Sequence, residues 1–318
     1  VDCLALVQNG QLSVTLRADP AAIPPHVVDA VLDDLLQKAT SQELPAALQA
    51  GPPRLMRPYD VPSPDAPERL NAVSGPDLFA LPPLLGYGAA FATMAEAFKH
   101  TRLHAFDFIE AEDRLERYRD AITAISGDQP IRLIGLSGGA LLAFEVAKSL
   151  EAAGHRVADL ILLDTPANLA PVGRSDEDVD AKIQADLAHL HDRMISEGGQ
   201  YGRAARNAEA HQALVAKMRA FITYLDPLVT EGAIAADIHQ IRSIQHWDTE
   251  AAWHRWSELT IGQYLTYRGL GNHADMLDQA SGPANAAIIE DILRGSGDGS
   301  VAFDAASSGA GQSLAERV

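Results

Sequence analysis

Cysteine is almost missing: 318 residues contain one, Cys3, so no internal disulfide can form, and no Cys/His spacing resembles a metal-ligand motif. That composition suits a reducing compartment, and the cytoplasm is the expected location. Long apolar runs are missing too. None reaches the roughly 18 residues a membrane-spanning helix requires. The N-terminus, VDCLALVQNG, lacks a basic segment and a clear cleavage site, so no signal peptide is read there. It also starts without Met, which suits a segment of something longer. Positive charge is scarce, with 25 Lys and Arg against 43 Asp and Glu and a net charge of −18. With no basic run to reverse that balance, nucleic acid is excluded as a default partner, and the acidity serves solubility. Internal repeats are absent.

What is present is 47% hydrophobic and 21% charged residues, enough for one large domain plus appendages. Residues 1–45 read as a separate piece. CLALVQNGQLSVTLRAD holds two short apolar segments around Asn9-Gly10, a hairpin signal. PPHVVDAVLDDLLQKAT follows as an amphipathic helix, with Val27, Val28, Val31, Leu32, Leu35 and Leu36 on one face. Residues 46–69 are rich in Pro and Ala and read as a linker.

From about residue 70 short apolar strands alternate with helical patterns. DLFALPP, RLHAFDF, IRLIGL and VADLILLD read as strands, and AAFATMAEAFKH, DRLERYRDAITAI and GALLAFEVAKSLEAAG as helices. Alternation at this spacing predicts an α/β domain with a mostly parallel sheet and helices on both faces. Residues 168–232 interrupt the pattern with two helical stripes. One runs through Val179, Ile183, Leu187, Leu190 and Met194, the other through Leu214, Val215, Met218, Phe221, Ile222 and Leu225. They fit either a cap over the sheet's edge or an extra core-packing pair. The sheet resumes with DIHQIRSI and QYLTYRGL and closes with the helix ANAAIIEDILR. The Gly/Ser/Ala-rich residues 296–318 read as a disordered tail.

Gly135-Leu136-Ser137-Gly138-Gly139 matches G-x-S-x-G. The bare pattern is weak, but here it follows an apolar strand and opens a helix, the setting a nucleophile elbow requires. A serine on that corner is strained, and small neighbours relieve the crowding. The corner also places its hydroxyl at a helix N-terminus, where free N–H groups favour negative charge. A plain glycine turn is the simpler reading, and the phosphate-loop pattern is absent. A nucleophilic serine needs a base, and the base an orienting acid, in the chain order Ser, acid, His. Asp164 ends the next strand; Asp248 and Asp107, which follow other strands, are rival acids. Asp164 could equally be a turn residue. Among eleven histidines, His273 lies late in the chain, in GLGNHADML after a strand, where a loop can return the imidazole to Ser137. Others, such as His189 and His191, have solvent exposure as their explanation. The oxyanion-hole donors expected by position are the N–H of Gly138 and that of Leu84, the first free donor after Pro82 and Pro83. Gly86 and Gly88 are expected to let that loop approach substrate.

With these residues in view, the chain resembles the thioesterase domains that end nonribosomal peptide synthetases, members of the α/β-hydrolase superfamily. LFALPPLLGYGAAFATMAEAF, LHAFDFIEAEDRLERYRDAI, the elbow, LILLD and GNHADML are similar to that family in order and spacing, over about residues 70–295. The resemblance implies a triad of Ser137, Asp164 and His273, with Asp164 preferred over Asp248, and oxyanion donors Leu84 and Gly138. Gly138 stands where relatives often carry alanine, with only a small effect on strain expected. DTPANLAPVGR lacks the lysines some relatives have after the acid, although Arg174 sits at a matching Gly-Arg. Pro83 falls where proline, rather than glycine, accompanies cyclising members. Pro83 and Arg174 are therefore the expected substrate contacts. The N-terminal piece resembles the closing strand and helix of a condensation or epimerisation domain.

The resemblance implies release of a peptidyl thioester, presented on the phosphopantetheine arm of a peptidyl carrier domain, through a peptidyl-O-Ser intermediate. Hydrolysis or macrocyclisation would complete it, and the domain itself would need no cofactor or metal. The alternatives are a free-standing editing thioesterase for misacylated carriers, a general carboxylesterase, and a non-catalytic carrier-docking module.

Overall fold

The computed structural model describes the backbone of residues 2–8, 11–17, 65–197, 208–247 and 251–295, and the side chains of 65–188, 211–247 and 252–295. The expectations for the helix after residue 18, the linker up to residue 64, the tail from 296, Asp248, and the side chains of His189, Leu190, His191 and Met194 lie outside the described residues. The chain divides into two compact units, Val1–Pro64 and Asp65–Val318. In the first, β1 (Asp2–Gln8) and β2 (Gln11–Arg17) pair antiparallel, closing at Gln8↔Gln11. Asn9-Gly10 thus falls at the two-residue connection, as a hairpin requires.

The second unit is built on a seven-stranded sheet of order β3-β5-β4-β6-β7-β8-β9. Its strands are β3 (Glu68–Arg69), β4 (Asp77–Leu81), β5 (Arg102–Ala105), β6 (Ile131–Leu136), β7 (Val157–Leu163), β8 (Asp237–Arg242) and β9 (Tyr264–Arg268). All neighbours are parallel except β3, which runs antiparallel to β5. The unit therefore begins before residue 70: residues 65–69, read from sequence as linker, include an edge strand. Glu68 and Arg69 are both exposed and polar, so no apolar alternation marks them.

Helices cover both faces, and the strands' two-residue period decides which side chains meet them. Phe79, Leu81, Leu133, Leu160 and Leu162 point to one face. They pack there with α2 (Arg114–Ser126) and α3 (Gly138–Ala152). Leu78, Ala80, Ile134, Ile161 and Ile241 point to the other, against α1 (Ala92–Ala97) and the C-terminal helix, which spans Gly282–Gly295. From β4 the chain winds first outward to β5, then returns to β6 on β4's other side and continues to β9. The loops leaving β4 and β6 consequently part in opposite directions. The crevice they leave at the strands' C-terminal ends is where open α/β sheets place their sites.

Between β7 and β8 lie the two inserted helices, α4 (Asp176–Glu197) and α5 (Ala208–Leu225). Their apolar stripes meet: Val179, Ile183 and Leu187 of α4 pack with Leu214, Met218 and Ile222 of α5. Helix α5 has a second face. Phe221 and Leu225 leave that small core and join the main one, with Phe221 stacked on Phe108 at 4.2 Å between ring centroids. The sequence left open whether this pair caps the sheet's edge or adds to its core; α5 does join the main core, through Phe221 and Leu225. Truncating Phe221→Ala should destabilise the domain by about 3–5 kcal/mol, the usual cost of emptying a buried aromatic site. Chemical denaturation of wild type and variant measures it.

Candidate active site

The ends of β6, β7 and β8 form a staircase at one rim of the sheet. Leu136 pairs with Leu163, and Leu163 with Ile241, so Ser137, Asp164 and the chain after Ile241 leave the sheet at one level. Ser137 has φ 57° and ψ −129°, and Asp164 has φ 47°. Among the described residues these are the only non-glycine positions with positive φ. Each such conformation costs on the order of 1–3 kcal/mol and persists only where its surroundings hold it. Backbone bonds do so here: Ser137 N–H donates to Leu163 O at 3.3 Å, and Asp164 N–H to Ile241 O at 2.8 Å. The Thr165 hydroxyl adds bonds to Leu163 O at 2.8 Å and Ser137 O at 3.2 Å. The Thr165 carbonyl accepts from the buried Trp256 indole at 2.9 Å and the Gln240 amide at 3.0 Å.

The elbow's glycines are required by close approach. A Cβ on Gly135 would lie 2.2 Å from Gly139 O, and one on Gly139 would lie 2.4 Å from Pro82 O. Both contacts are with backbone, so no side-chain movement could relieve them. Gly138 also makes room for a side chain. Its Cβ would meet Leu225 Cδ1 of α5 at 2.6 Å and Leu84 Cδ1 at 3.7 Å. The missing methyl makes room for the inserted helix as well as easing the turn. Gly86 and Gly88 also admit protein. A Cβ on Gly86 would strike Lys217 Cγ of α5 at 2.6 Å, and one on Gly88 would strike Phe106 O at 2.6 Å. The loop thus packs tightly under α5 and against the chain at the end of β5, a role for these glycines beyond the expected approach to substrate.

Asp164 is buried, with 1% of its surface exposed. Its Oδ1 accepts the Ser243 N–H at 2.7 Å. Its Oδ2 lies 2.8 Å from His273 Nδ1. Burial pushes this carboxyl upward. The bonds from His273, the Ser243 N–H, His246 and the Ser243 hydroxyl outweigh that and hold its pKa below the ordinary aspartate value of 3.8. An ionised carboxylate only accepts, so His273 Nδ1 carries the proton between them. His273 sits in a short 3-10 turn, His273–Asp275, whose flanks are fixed by one buried side chain. Asn285 accepts from Leu270 N at 2.8 Å and donates to Leu270 O at 3.0 Å and Met276 O at 2.9 Å. Of the rival acids, Asp107 binds the Gly88 N–H at 2.9 Å.

A second histidine joins the carboxylate: His246 Nδ1 also lies 2.8 Å from Asp164 Oδ2. Nothing in the sequence reading singled out His246 or Asn285. His246 could have been found as a histidine just past the end of β8, at the rim that holds the serine and the acid. Asp164, His246 and His273 present one ligand atom each within 4.8 Å of one another, as do Asp159, Asp237 and His239 near the opposite ends of β7 and β8. The first set is already engaged in the hydrogen bonds described. In the second, His239 bridges Asp159 at 3.1 Å and the Tyr267 hydroxyl at 3.2 Å.

Pro83 and Arg174, the expected substrate contacts, are each held by contacts within the protein. Pro83 O accepts the Gly86 N–H at 2.7 Å, which tightens the loop carrying Leu84. The Leu84 side chain packs with both the main core and the α4–α5 core. Arg174 pairs with Asp226 at the end of α5, tying the chain after β7 to that helix. No helix among the described residues is long and apolar enough to cross a membrane.

A mostly parallel sheet with a strained serine between strand and helix, an acid ending the next strand and a histidine bonded to that acid define a member of the α/β-hydrolase class. The thioesterase-domain family model matches residues 76–294, and the chain belongs to that family. It is 35% identical over 217 residues to surfactin synthase subunit 3 of Bacillus subtilis (strain 168), covering 68% of this chain and 16% of that protein. It is 32% identical over 235 residues to tyrocidine synthase 3 of Brevibacillus parabrevis, covering 71% of this chain and 4% of that one. The chain thus spans only a small part of the curated relatives it matches. Among solved structures, the thioesterase domain SrfTE, studied for cyclization of the lipopeptide antibiotic surfactin, superposes with a TM-score of 0.59 at 31% identity. That match covers 69% of this chain and 92% of SrfTE. The Vlm2 thioesterase domain, with a TM-score of 0.56 at 20% identity over 72% of this chain and 98% of its own, shares the fold.

The lowered pKa of Asp164 has a consequence for stability. Its unfolded value lies above its folded one, so its contribution is present above about pH 4 and fades as pH falls through the folded value. Denaturant titrations between pH 2 and pH 7 should show wild type losing more stability below about pH 4 than Asp164→Asn does.

Proposed function

We propose that this domain ends peptide assembly by taking a peptidyl chain from the phosphopantetheine thiol of a carrier domain and releasing it through an ester on Ser137. The observation that carries the reading is the Asp164–His273 hydrogen bond of 2.8 Å, at the rim where Ser137 is held at φ 57°. Membership of the thioesterase family and similarity to peptide synthases support the substrate class.

The chemistry follows from the atoms in place. With Nδ1 donating to Asp164, His273 keeps Nε2 as the acceptor for the Ser137 hydroxyl proton. The serine oxygen attacks the thioester carbonyl, and the carbonyl oxygen becomes an oxyanion. The Gly138 N–H lies in the first turn of α3, where no earlier helical carbonyl can accept it, and serves as one donor. The Leu84 N–H, carried over the elbow by the Pro83–Gly86 turn, serves as the other. One such donor is worth about 3–4 kcal/mol of barrier. Collapse breaks the C–S bond, and His273 returns its proton to the departing thiol. Water, activated by the same imidazole, then frees a linear acid, or an internal amine or hydroxyl of the peptide closes a ring. Pro83 and Arg174 are the proposed substrate contacts, with Arg174 acting from its pair with Asp226. The proposed steps use this domain's own side chains and two backbone N–H groups, and a carrier domain of the same synthetase is the proposed partner.

Synthetic peptidyl thioesters test the proposal. Wild type should turn them over, giving a linear acid or a product one water lighter. Ser137→Ala should fall to the uncatalysed rate, and a fluorophosphonate probe should label wild type at Ser137 alone. Equal turnover by wild type and Ser137→Ala would sink the reading. A preference for acetyl over peptidyl thioesters would move it to an editing enzyme.

A further inference from the structure

We propose that His246 is a positioning residue for the acid Asp164, so that the reacting histidine meets a carboxylate clamped by a second imidazole; this rests on the reading of Ser137, Asp164 and His273 above. Ser243 and His246 belong to one turn, the 3-10 segment Ile244–His246 that follows β8 with Ser243 as its N-cap. That turn grips both carboxylate oxygens. The Ser243 N–H binds Oδ1 at 2.7 Å, and His246 Nδ1 binds Oδ2 at 2.8 Å. His273 reaches the same Oδ2 from the loop after β9. The two rings meet edge to face, with centroids 6.1 Å apart at 68°.

The position of His246 is itself built. Its ring lies 5.4 Å from the buried Trp253 ring, and its N–H closes the turn onto Ser243 O at 3.2 Å. The turn is further tied to the histidine loop by the Ile244 N–H, which donates to Gly271 O at 3.1 Å. A carboxylate held by His273 and one backbone N–H could rotate about its Cβ–Cγ bond. His246, from the turn that already holds Oδ1 through Ser243, adds a second imidazole donor on Oδ2, opposes that rotation and fixes the direction in which His273 is pulled. His246 acts through Asp164 and not on substrate. Its loss should therefore appear in kcat and leave KM unchanged.

The test compares wild type, His246→Ala, His246→Asn and Asp164→Asn with a peptidyl thioester. A hydrogen bond to a charged group sets the scale: His246→Ala should lower kcat roughly 10- to 100-fold at constant KM. His246→Asn, whose Nδ2 hangs from Cγ as Nδ1 does, should recover most of that loss. Wild-type kcat in folded His246→Ala overturns the proposal, as does an Asn variant no better than Ala. Should His246→Ala not fold, proton spectra of ¹⁵N-histidine-labelled wild type decide. Two imidazole N–H protons shifted far downfield are expected, both lost in Asp164→Asn, and only one such proton overturns the proposal. Full activity in Asp164→Asn would instead overturn the triad reading, which separates the two failures.

Discussion

The site depends on a backbone constraint at the rim of the sheet: two adjacent parallel strands, β6 and β7, each end in a residue forced to positive φ. Neither Ser137 nor Asp164 is suited to that region of conformational space, and both are held there by bonds to the next strand's end. The strain has a geometric product. A strand that ended in ordinary extended backbone would carry its next side chain on along the sheet. The kink turns Ser137 up at the first turn of α3, and a second kink one strand away turns Asp164 the same way. Parallel strands lie about 4.8 Å apart, so matching kinks bring nucleophile and acid to neighbouring positions without any long loop.

The strain is supported from outside the rim. Thr165 bonds back to both strand ends, and its carbonyl is held by Trp256 and Gln240 from β8 and the segment after it. Asn285, fully buried on the C-terminal helix, clamps both flanks of the His273 turn. Ser137 and Asp164 therefore leave directly from strand ends, and the loop that carries His273 is braced by a helix residue. That is the arrangement that holds a catalytic geometry to within fractions of an ångström.

The features that follow a period or a motif were legible in the sequence. Alternating strands and helices, the G-x-S-x-G corner, an aspartate ending the next strand and a late histidine after the last strand each leave a local signature, and the sheet carries them where expected. Features that depend on meeting another segment were not. Glu68 and Arg69 form an edge strand but carry no apolar side chain to announce it. Gly86 and Gly88 read as openings because their partners, Lys217 and Phe106, lie 131 and 18 residues away along the chain. His246 is one of eleven histidines, and its role appears only when the turn after β8 folds against Asp164. The lid stripes were visible as helices, but a stripe cannot say that its residues divide. Met218 and Ile222 face α4, while Phe221 and Leu225 face the sheet.

That division bears on the chemistry. Leu225 occupies the space an alanine methyl would fill at the residue after the nucleophile, and Leu84 approaches the same point from the loop after β4. The two N–H groups proposed to bind the oxyanion thus belong to residues flanked by apolar side chains, one of them from the inserted helix. Apolar neighbours lower the local dielectric, and a fixed N–H dipole then interacts more strongly with a developing negative charge than it would in water. The small residue at Gly138 and the leucine at 225 are parts of one fit: enlarging the first displaces the second. Through Leu225 the inserted helix α5 lends apolar surface beside the Gly138 N–H, so the proposed oxyanion site is shaped in part by that helix.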